Sequence, residues 1–270
     1  MRMQNGPKMP KTSPLITGRK LLTATVNKYK RGVVAVVAGS DRYPGAAILT
    51  VGGARRGGAG YVKYFSKSSW LRQEIAAKFP DVVPIKSISE EKIDALVVGP
   101  GAVTLRKLPE INQIVLDGAA MKLANVLAKR EPSKPQSSQI LVVTPHEGEL
   151  KFLGYNQPKS TKEREQIAQK IARELGVIVV LKGNKTLIAA PSGKFIVDSI
   201  GGPELATAGS GDVLAGLIGA FLASWQPKNH IDAQKVVAAA VKLDSMAGKH
   251  AAKRLKSVVA TDLLESLAHC

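Results

Sequence analysis

Five short runs of aliphatic, mostly β-branched residues constrain this chain more than any other feature. They are VVAVVA at 33–38, ALVVG at 95–99, QIVLD at 113–117, ILVVT at 140–144 and VIVVLK at 177–182. A strand that is apolar at nearly every position, rather than every second one, must be covered on both faces. Helix-like stretches near 45–56, 69–79, 145–153 and 161–175 lie between these runs. Buried strands alternating with helices predict a mainly parallel sheet between two helical layers. TLIAAPSGKFIVD, at 186–198, reads differently: two short strands flank Pro-Ser-Gly, which predicts a hairpin. Helices near 210–224, 231–251 and 260–268 complete the pattern, and no internal repeat interrupts it. The expectation is a single three-layer α/β domain over residues 16–270, preceded by a loose basic tail at 1–15. REPSKPQSSQ, at 130–139, is expected as a polar surface loop.

Composition excludes several classes. A hydrophobic fraction of 44% over 270 residues is that of a globular chain with a sizeable core. No apolar run approaches the roughly 18 residues of a membrane span, and the basic N-terminus lacks the apolar core of a signal peptide. A lone cysteine, Cys270, forms no intrachain disulfide and suits a reducing cytoplasm. The charge is unusual, at +18, and residues 1–73 hold fourteen Lys or Arg against one acid, Asp41. Such a surface attracts nucleic acid, acidic lipid or phosphorylated metabolites. A nucleic-acid function is not supported further: aromatic residues are only 4%, and no helix-turn-helix, zinc-finger or RNP-like signature is present.

Sheets of this kind bind ligands beyond the carboxyl ends of their strands, so the segments after each strand matter most. GSDRYPGAAILTVGGARRGGAG follows the first run, with seven glycines between 39 and 60. It is neither GxGxxG nor GxxxxGK[ST], so Rossmann and P-loop chemistry are not indicated. Its Gly39 and Gly45 suit either close helix–sheet packing or the approach of a bulky ligand, with Ala46 opening a helix. The second run leads into PGAV and a tight turn at Gly101. In TPHEGEL, Thr144 reads as an N-cap, Pro145 as the first helical residue and Glu147 as the capping-box partner. That leaves His146 and Glu149 without a structural role. Lys182, ending an apolar strand before Gly183, is expensive to bury unless it meets an anion, and otherwise snorkels to water.

ATAGSGDVLAG, at 206–216, carries two readings. Asp212 after Gly-Ser-Gly suits a helix start, where the dipole favours a carboxylate. Equally, unpaired amides at a helix start form an anion site. A carboxylate beside such a site is well placed to take the proton of a hydroxyl that attacks a phosphoryl group.

Taken together, GSDRYPGAA, VVGPG, TPHEGE, VVLKGNKT and GGPELATAGSGDVLAG are similar, in order, to the NAD(P)H-hydrate dehydratases of the ribokinase-like superfamily. AGSGD resembles that superfamily's GxGD signature, and the match runs from about residue 20 to 267. The resemblance implies a ribokinase-like fold and the nucleotide-dependent dehydration of NADHX and NADPHX back to NADH and NADPH. It implies a lyase that uses Mg²⁺ with ADP or ATP as co-substrate, ADP being favoured. Asp212 would be the catalytic base, and Ala46, Gly101, His146 and Asp212 would contact the hydrated cofactor. Lys182, Gly183, Asn184, Lys185, Thr186 and Gly211 match nucleotide-binding positions, and Gly209, Ser210 and Gly211 the anion hole. Glu149 matches the acid that organises Mg²⁺ and its waters. The resemblance also implies a cytoplasmic homo-oligomer, a tetramer among the options, with a separate NAD(P)H-hydrate epimerase as partner. A ribokinase-like kinase of a small alcohol or vitamin precursor is the alternative. Two departures stand out: Ala119 where a second Asp is common, and GGPE at 201–204 in place of Asn-Pro-Gly.

Overall fold

The computed structural model describes residues 27–128 and 139–270; the tail expected at 1–15 and nearly all of the loop expected at 130–139 lie outside them. Among the described residues, nine strands form one sheet: β1 (Val33–Val37), β2 (Tyr61–Phe65), β3 (Val82–Ile85), β4 (Ala95–Val98), β5 (Gln113–Leu116), β6 (Ile140–Val143), β7 (Ile178–Leu181), β8 (Thr186–Ala189) and β9 (Phe195–Asp198). Their spatial order is β3-β2-β1-β4-β5-β6-β7-β8-β9. Every neighbouring pair from β3 to β7 is parallel, and β8 and β9 add antiparallel to β7 as the expected hairpin. The strand order turns between β1 and β4, which opens a crevice at their carboxyl ends.

Helices α1 (Pro44–Arg56), α2 (Ser69–Lys78), α3 (Lys122–Ala128), α4 (Thr161–Leu175), α5 (Ser210–Trp225), α6 (His230–Ala252) and α7 (Ala260–Ser266) cover the two faces. Side chains alternate along each strand, so the continuous apolar runs feed two separate cores. Val34, Val36, Val97 and Val180 face α1, α2, α5, α6 and α7. Ala35, Val37, Leu96 and Leu181 face α3 and α4.

Two strands have no counterpart in the sequence expectation. YVKYF carries Lys63 at its centre, which looks wrong for a buried strand; there Lys63 Nζ meets Glu91 Oε2 at 2.5 Å. VVPI contains Pro84, and it forms the outer strand of the sheet, where proline's missing N–H costs no ladder bond. The expected helix over 145–153 is a 3₁₀ segment, Glu147–Leu153.

Beneath the crevice, α1 and α5 cross with their backbones in near contact. A Cβ on Gly53 would lie 2.2 Å from Val213 O, and one on Gly216 would lie 2.0 Å from Thr50 O. This crossing anchors the first turn of α5 against the sheet. Gly216→Ala forces the two helices apart, and overpacking of this kind costs about 3 kcal/mol. A loss of that size lowers Tm by about 6–12 °C in a domain of this length. Gly45→Ala, which meets nothing within 4 Å, is the control and should leave Tm unchanged or slightly raised in thermal denaturation.

Candidate active site

The site sits at the carboxyl ends of β1, β4, β5, β6 and β7, facing the start of α5. Gly39 N–H donates to Pro100 O at 2.8 Å, which joins the loops after β1 and β4 across the crevice. Gly101 has φ 78°, and a Cβ there would come within 2.9 Å of the Ala46 side chain. Only glycine takes this backbone without strain and leaves that space. Ala46 and Gly101, far apart in sequence, therefore form one wall of the crevice, with the Ser40 hydroxyl donating to Gly101 O at 2.8 Å.

Lys182 is the electrostatic centre. Its Nζ lies 3.2 Å from Asp117 Oδ1 and 3.7 Å from Glu149 Oε2. Burial works against its charge, but Asp117, Glu149 and Asp212 outweigh that and hold its pKa above the usual lysine value. The ammonium is thus fixed by carboxylates, as its strand-end position required, rather than extended into water. Asp117 is buried beside Thr144, whose hydroxyl donates to Asp117 Oδ1 at 2.5 Å.

That hydrogen bond overturns the capping expectation for Thr144, Pro145 and Glu147. The true N-cap is His146: its Nδ1 accepts from Gly148 N–H at 3.0 Å, while Glu149 Oε2 accepts from the His146 N–H at 2.9 Å. Thr144 is fully buried at the strand end and turned toward Asp117, so it cannot cap a helix two residues on. His146 and Glu149, which local sequence pattern leaves without a structural role, make the capping box themselves. The His146 side chain is 59% exposed, with Nε2 3.5 Å from Glu149 Oε2.

Asp212 lies in the first turn of α5, whose N-cap is Gly209 at φ 89°. A Cβ at Gly209 would strike Leu49 at 2.3 Å, so the Gly-Ser-Gly approach to the helix has a steric reason. Ser210 is occupied: its hydroxyl donates to Leu205 O at 2.8 Å and its N–H to Thr207 O at 3.3 Å. The amides suited to an anion are therefore those of Gly211 and Asp212, where the helix supplies no carbonyl four residues back. Lys182 Nζ is 3.1 Å from the position of a Cβ on Gly211, so ammonium and helix start face the same space. Burial raises the Asp212 carboxyl to about 7, the Asp117 charge adds to this, Lys182 opposes it and Glu149 contributes a smaller rise. A carboxylate that titrates near neutrality is well matched to accepting a proton at physiological pH.

From this centre a cleft of about 350 Å³ runs between the β7–β8 turn, residues 202–206, the start of α5 and the middle of α6. Lys182, Gly183, Asn184, Thr186, Ser210 and Gly211 line it. Lys185 does not; its carbonyl instead accepts from Arg164 Nη1 at 2.7 Å. Arg164 also donates to Leu181 O and Lys182 O and pairs with Glu147 at 2.8 Å. One α4 side chain thereby sets the shape of the whole KGNKT turn. Sequence reasoning does not single out Arg164, because nothing in TKEREQ marks it apart from other solvent-facing helical charges. Asp117, by contrast, ends the run QIVLD at a strand's carboxyl end, a readable position. Of the two departures, Ala119 lies in a 3₁₀ turn over Gly118–Met121, and Glu204 of GGPE pairs with Lys249 at 3.0 Å on the cleft rim. Among the described residues, no group of three or more His, Cys, Asp or Glu could hold a metal ion directly.

A parallel sheet extended by a hairpin, with a glycine-bounded aspartate at a helix start facing a strand-end lysine, is a ribokinase-like fold, shared with a solved ribokinase-like superfamily protein of Enterococcus faecalis at a TM-score of 0.70. The sequence matches the family model for NAD(P)H-hydrate dehydratase over residues 34–269, and the chain belongs to that family. It is 31% identical to the ADP-dependent (S)-NAD(P)H-hydrate dehydratase of Lactococcus lactis, with 92% of this chain and 94% of that one covered. It is 37% identical to the bifunctional NAD(P)H-hydrate repair enzyme of Gloeobacter violaceus over 74% of this chain, but spans only 42% of that longer protein. The ADP/ATP-dependent NAD(P)H-hydrate dehydratase of Bacillus subtilis, crystallised with ATP and Mg²⁺, superposes with a TM-score of 0.74 at 27% identity, covering 92% of this chain and 91% of that one.

Proposed function

We propose that this chain dehydrates NADHX and NADPHX to NADH and NADPH at the expense of a nucleotide, with ADP preferred. The observation that carries the proposal is the placement of Asp212, raised to about 7, at the start of α5, where Lys182 Nζ comes within 3.1 Å of a Cβ position on the neighbouring Gly211. The hydrated nicotinamide ring lies in the crevice against Ala46, Gly101 and His146. ADP lies in the cleft with its phosphates on Lys182, the Gly183–Thr186 turn and the amides of Gly211 and Asp212.

Asp212 takes the proton from the C6 hydroxyl, and that oxygen attacks the terminal phosphoryl group. A C6-oxygen to phosphorus bond forms while the bond to the departing AMP breaks. Lys182 and the two amides bear the charge that builds on the transferring group, a role best filled by groups already fixed in place. The ring nitrogen's lone pair then expels phosphate, and loss of a ring proton restores the reduced ring. Hydroxide would leave poorly; phosphate leaves readily. The balance is NADHX and ADP in, NADH, AMP and phosphate out.

Asp117 and Glu149 face the Lys182 ammonium at 3.2 and 3.7 Å, so they suit an ion held through water and nucleotide phosphates rather than by the protein directly. Mg²⁺ would supply further neutralisation of the phosphate charge, with Glu149 orienting its water.

Residues 16–270 are read as one catalytic domain acting as a homo-oligomer in the cytoplasm, with the epimerase supplied by a separate partner. No helix among the described residues is long and apolar enough to cross a membrane. The test is recovery of the reduced-nicotinamide absorbance from NADH hydrate with Mg²⁺ and either ADP or ATP. Recovery only with nucleotide, releasing phosphate, is expected. A stable phosphorylated product without recovery would replace this reading with a kinase.

A further inference from the structure

The cleft contains a side chain that the proposed chemistry leaves unused. Asp244, in the middle of α6, is 4% exposed and lines the wall that also holds Leu205, Leu214 and Val241. Its Oδ1 is buried without a hydrogen-bond partner among the described residues. The adjacent Ser245 hydroxyl cannot serve, because it donates to Asp198 Oδ2 at 2.7 Å. A buried polar atom without a partner is costly, and one that borders a ligand cleft is satisfied once a bound group supplies the missing partner.

The two regions of the cleft differ in chemistry. Lys182, Gly183, Asn184 and Gly211 present a cation and backbone suited to phosphate. Pro203, Leu205, Leu214 and Val241 present apolar walls, suited to the faces of a flat ring, with Asp244 as the buried acid among them.

Resting on the reading of this cleft as a nucleotide site, we propose that Asp244 is the specificity residue that reads the 6-aminopurine edge of the nucleotide base. Burial first, and then the Asp198 charge, push the Asp244 carboxyl up to about 7. In its neutral form a carboxyl offers one O–H donor and one carbonyl acceptor side by side. That pair complements a ring nitrogen next to an exocyclic amine, the arrangement on adenine. Guanine reverses the pair there, with N1–H as donor and O6 as acceptor, so a carboxyl whose proton sits on the oxygen that meets the adenine ring nitrogen faces N1–H with its own O–H.

The test is isothermal titration of the whole chain and its variants with ADP, GDP and pyrophosphate. Asp244→Ala removes a buried group without a partner and is expected to fold. It should weaken ADP about tenfold, as loss of a buried bidentate contact does, and leave pyrophosphate unchanged. Asp244→Asn keeps one donor and one acceptor, so ADP affinity should stay within about threefold of wild type. The wild-type preference for ADP over GDP should shrink in the alanine variant and persist in the asparagine variant. Unchanged ADP affinity in Asp244→Ala, or equal weakening of ADP and pyrophosphate, overturns the proposal while nucleotide binding itself stands. Failure of the wild type to bind ADP overturns this proposal and the nucleotide-dependent function together.

Discussion

Asp212→Asn is expected to lower kcat/KM for NADH hydrate by about three orders of magnitude, the middle of the range for a lost general base. The amide keeps the size of the side chain and its place in the first turn of α5 but cannot take a proton. Fold stability should not fall with it. The wild-type carboxyl is raised to about 7, so the native state holds its proton more tightly than the unfolded chain does. Its contribution to stability is therefore complete at low pH and is lost as pH rises from about 4 to about 7. The asparagine variant avoids that loss, so its Tm at pH 8 should equal or exceed that of the wild type. The wild-type rate itself should rise with pH and level off above about 7, as the base becomes free to accept a proton. A helix-starting role alone predicts the reverse pattern, with activity retained and Tm lowered. Stopped assays of kcat/KM from pH 5.5 to 9, beside thermal denaturation of both proteins, separate the two.

Lys182→Met should have the next largest effect, and on both stability and binding. The ammonium stands between Asp117 and Glu149 and opposes the rise of the Asp212 carboxyl. Removing one member of a buried charged group costs about 3–5 kcal/mol when the others stay ionised. Three carboxylates would then repel one another, and protonation relieves them. The destabilisation should accordingly be larger at pH 9 than at pH 6. Lys182 itself is held above the ordinary lysine value, so in the wild type its contribution is complete across this window and is lost only above it. Without the cation, Asp212 should titrate above 7, moving the rising limb of the rate profile to higher pH, and KM for ADP should increase more than tenfold. A variant with an unshifted profile and normal KM would mean that Lys182 only buttresses the strand end. Purified protein assayed across pH, with denaturation midpoints at pH 6 and 9, decides between them.

Much of this architecture is readable because a strand buried on both faces leaves an unusual local mark. VVAVV, ILVV and IVVL admit few other placements, and their spacing dictates intervening helices. The glycine-bounded aspartate is readable for a similar reason: a positive φ at Gly209 and a backbone crossing at Gly216 require glycine whatever the ligand. YVKYF and VVPI escape detection because Lys63 and Pro84 are tolerated by a distant glutamate and by an outer position in the sheet. Thr144 reads wrongly as a cap because capping is a short-range pattern, whereas its hydroxyl is claimed by Asp117, 27 residues earlier.

Sequence alone therefore determined the layers, the hairpin and the positions of Asp212, Lys182 and the glycine turns. All of these follow from interactions spanning a few residues, or from the repeated need to bury an apolar strand. Tertiary structure alone decided which charges meet. The contact of Lys182 with Asp117, the grip of Arg164 on the β7–β8 turn and the burial of Asp244 against the cleft join residues from different elements. Desolvation and Coulomb interaction depend on distance in space, and chain order carries no measure of that distance.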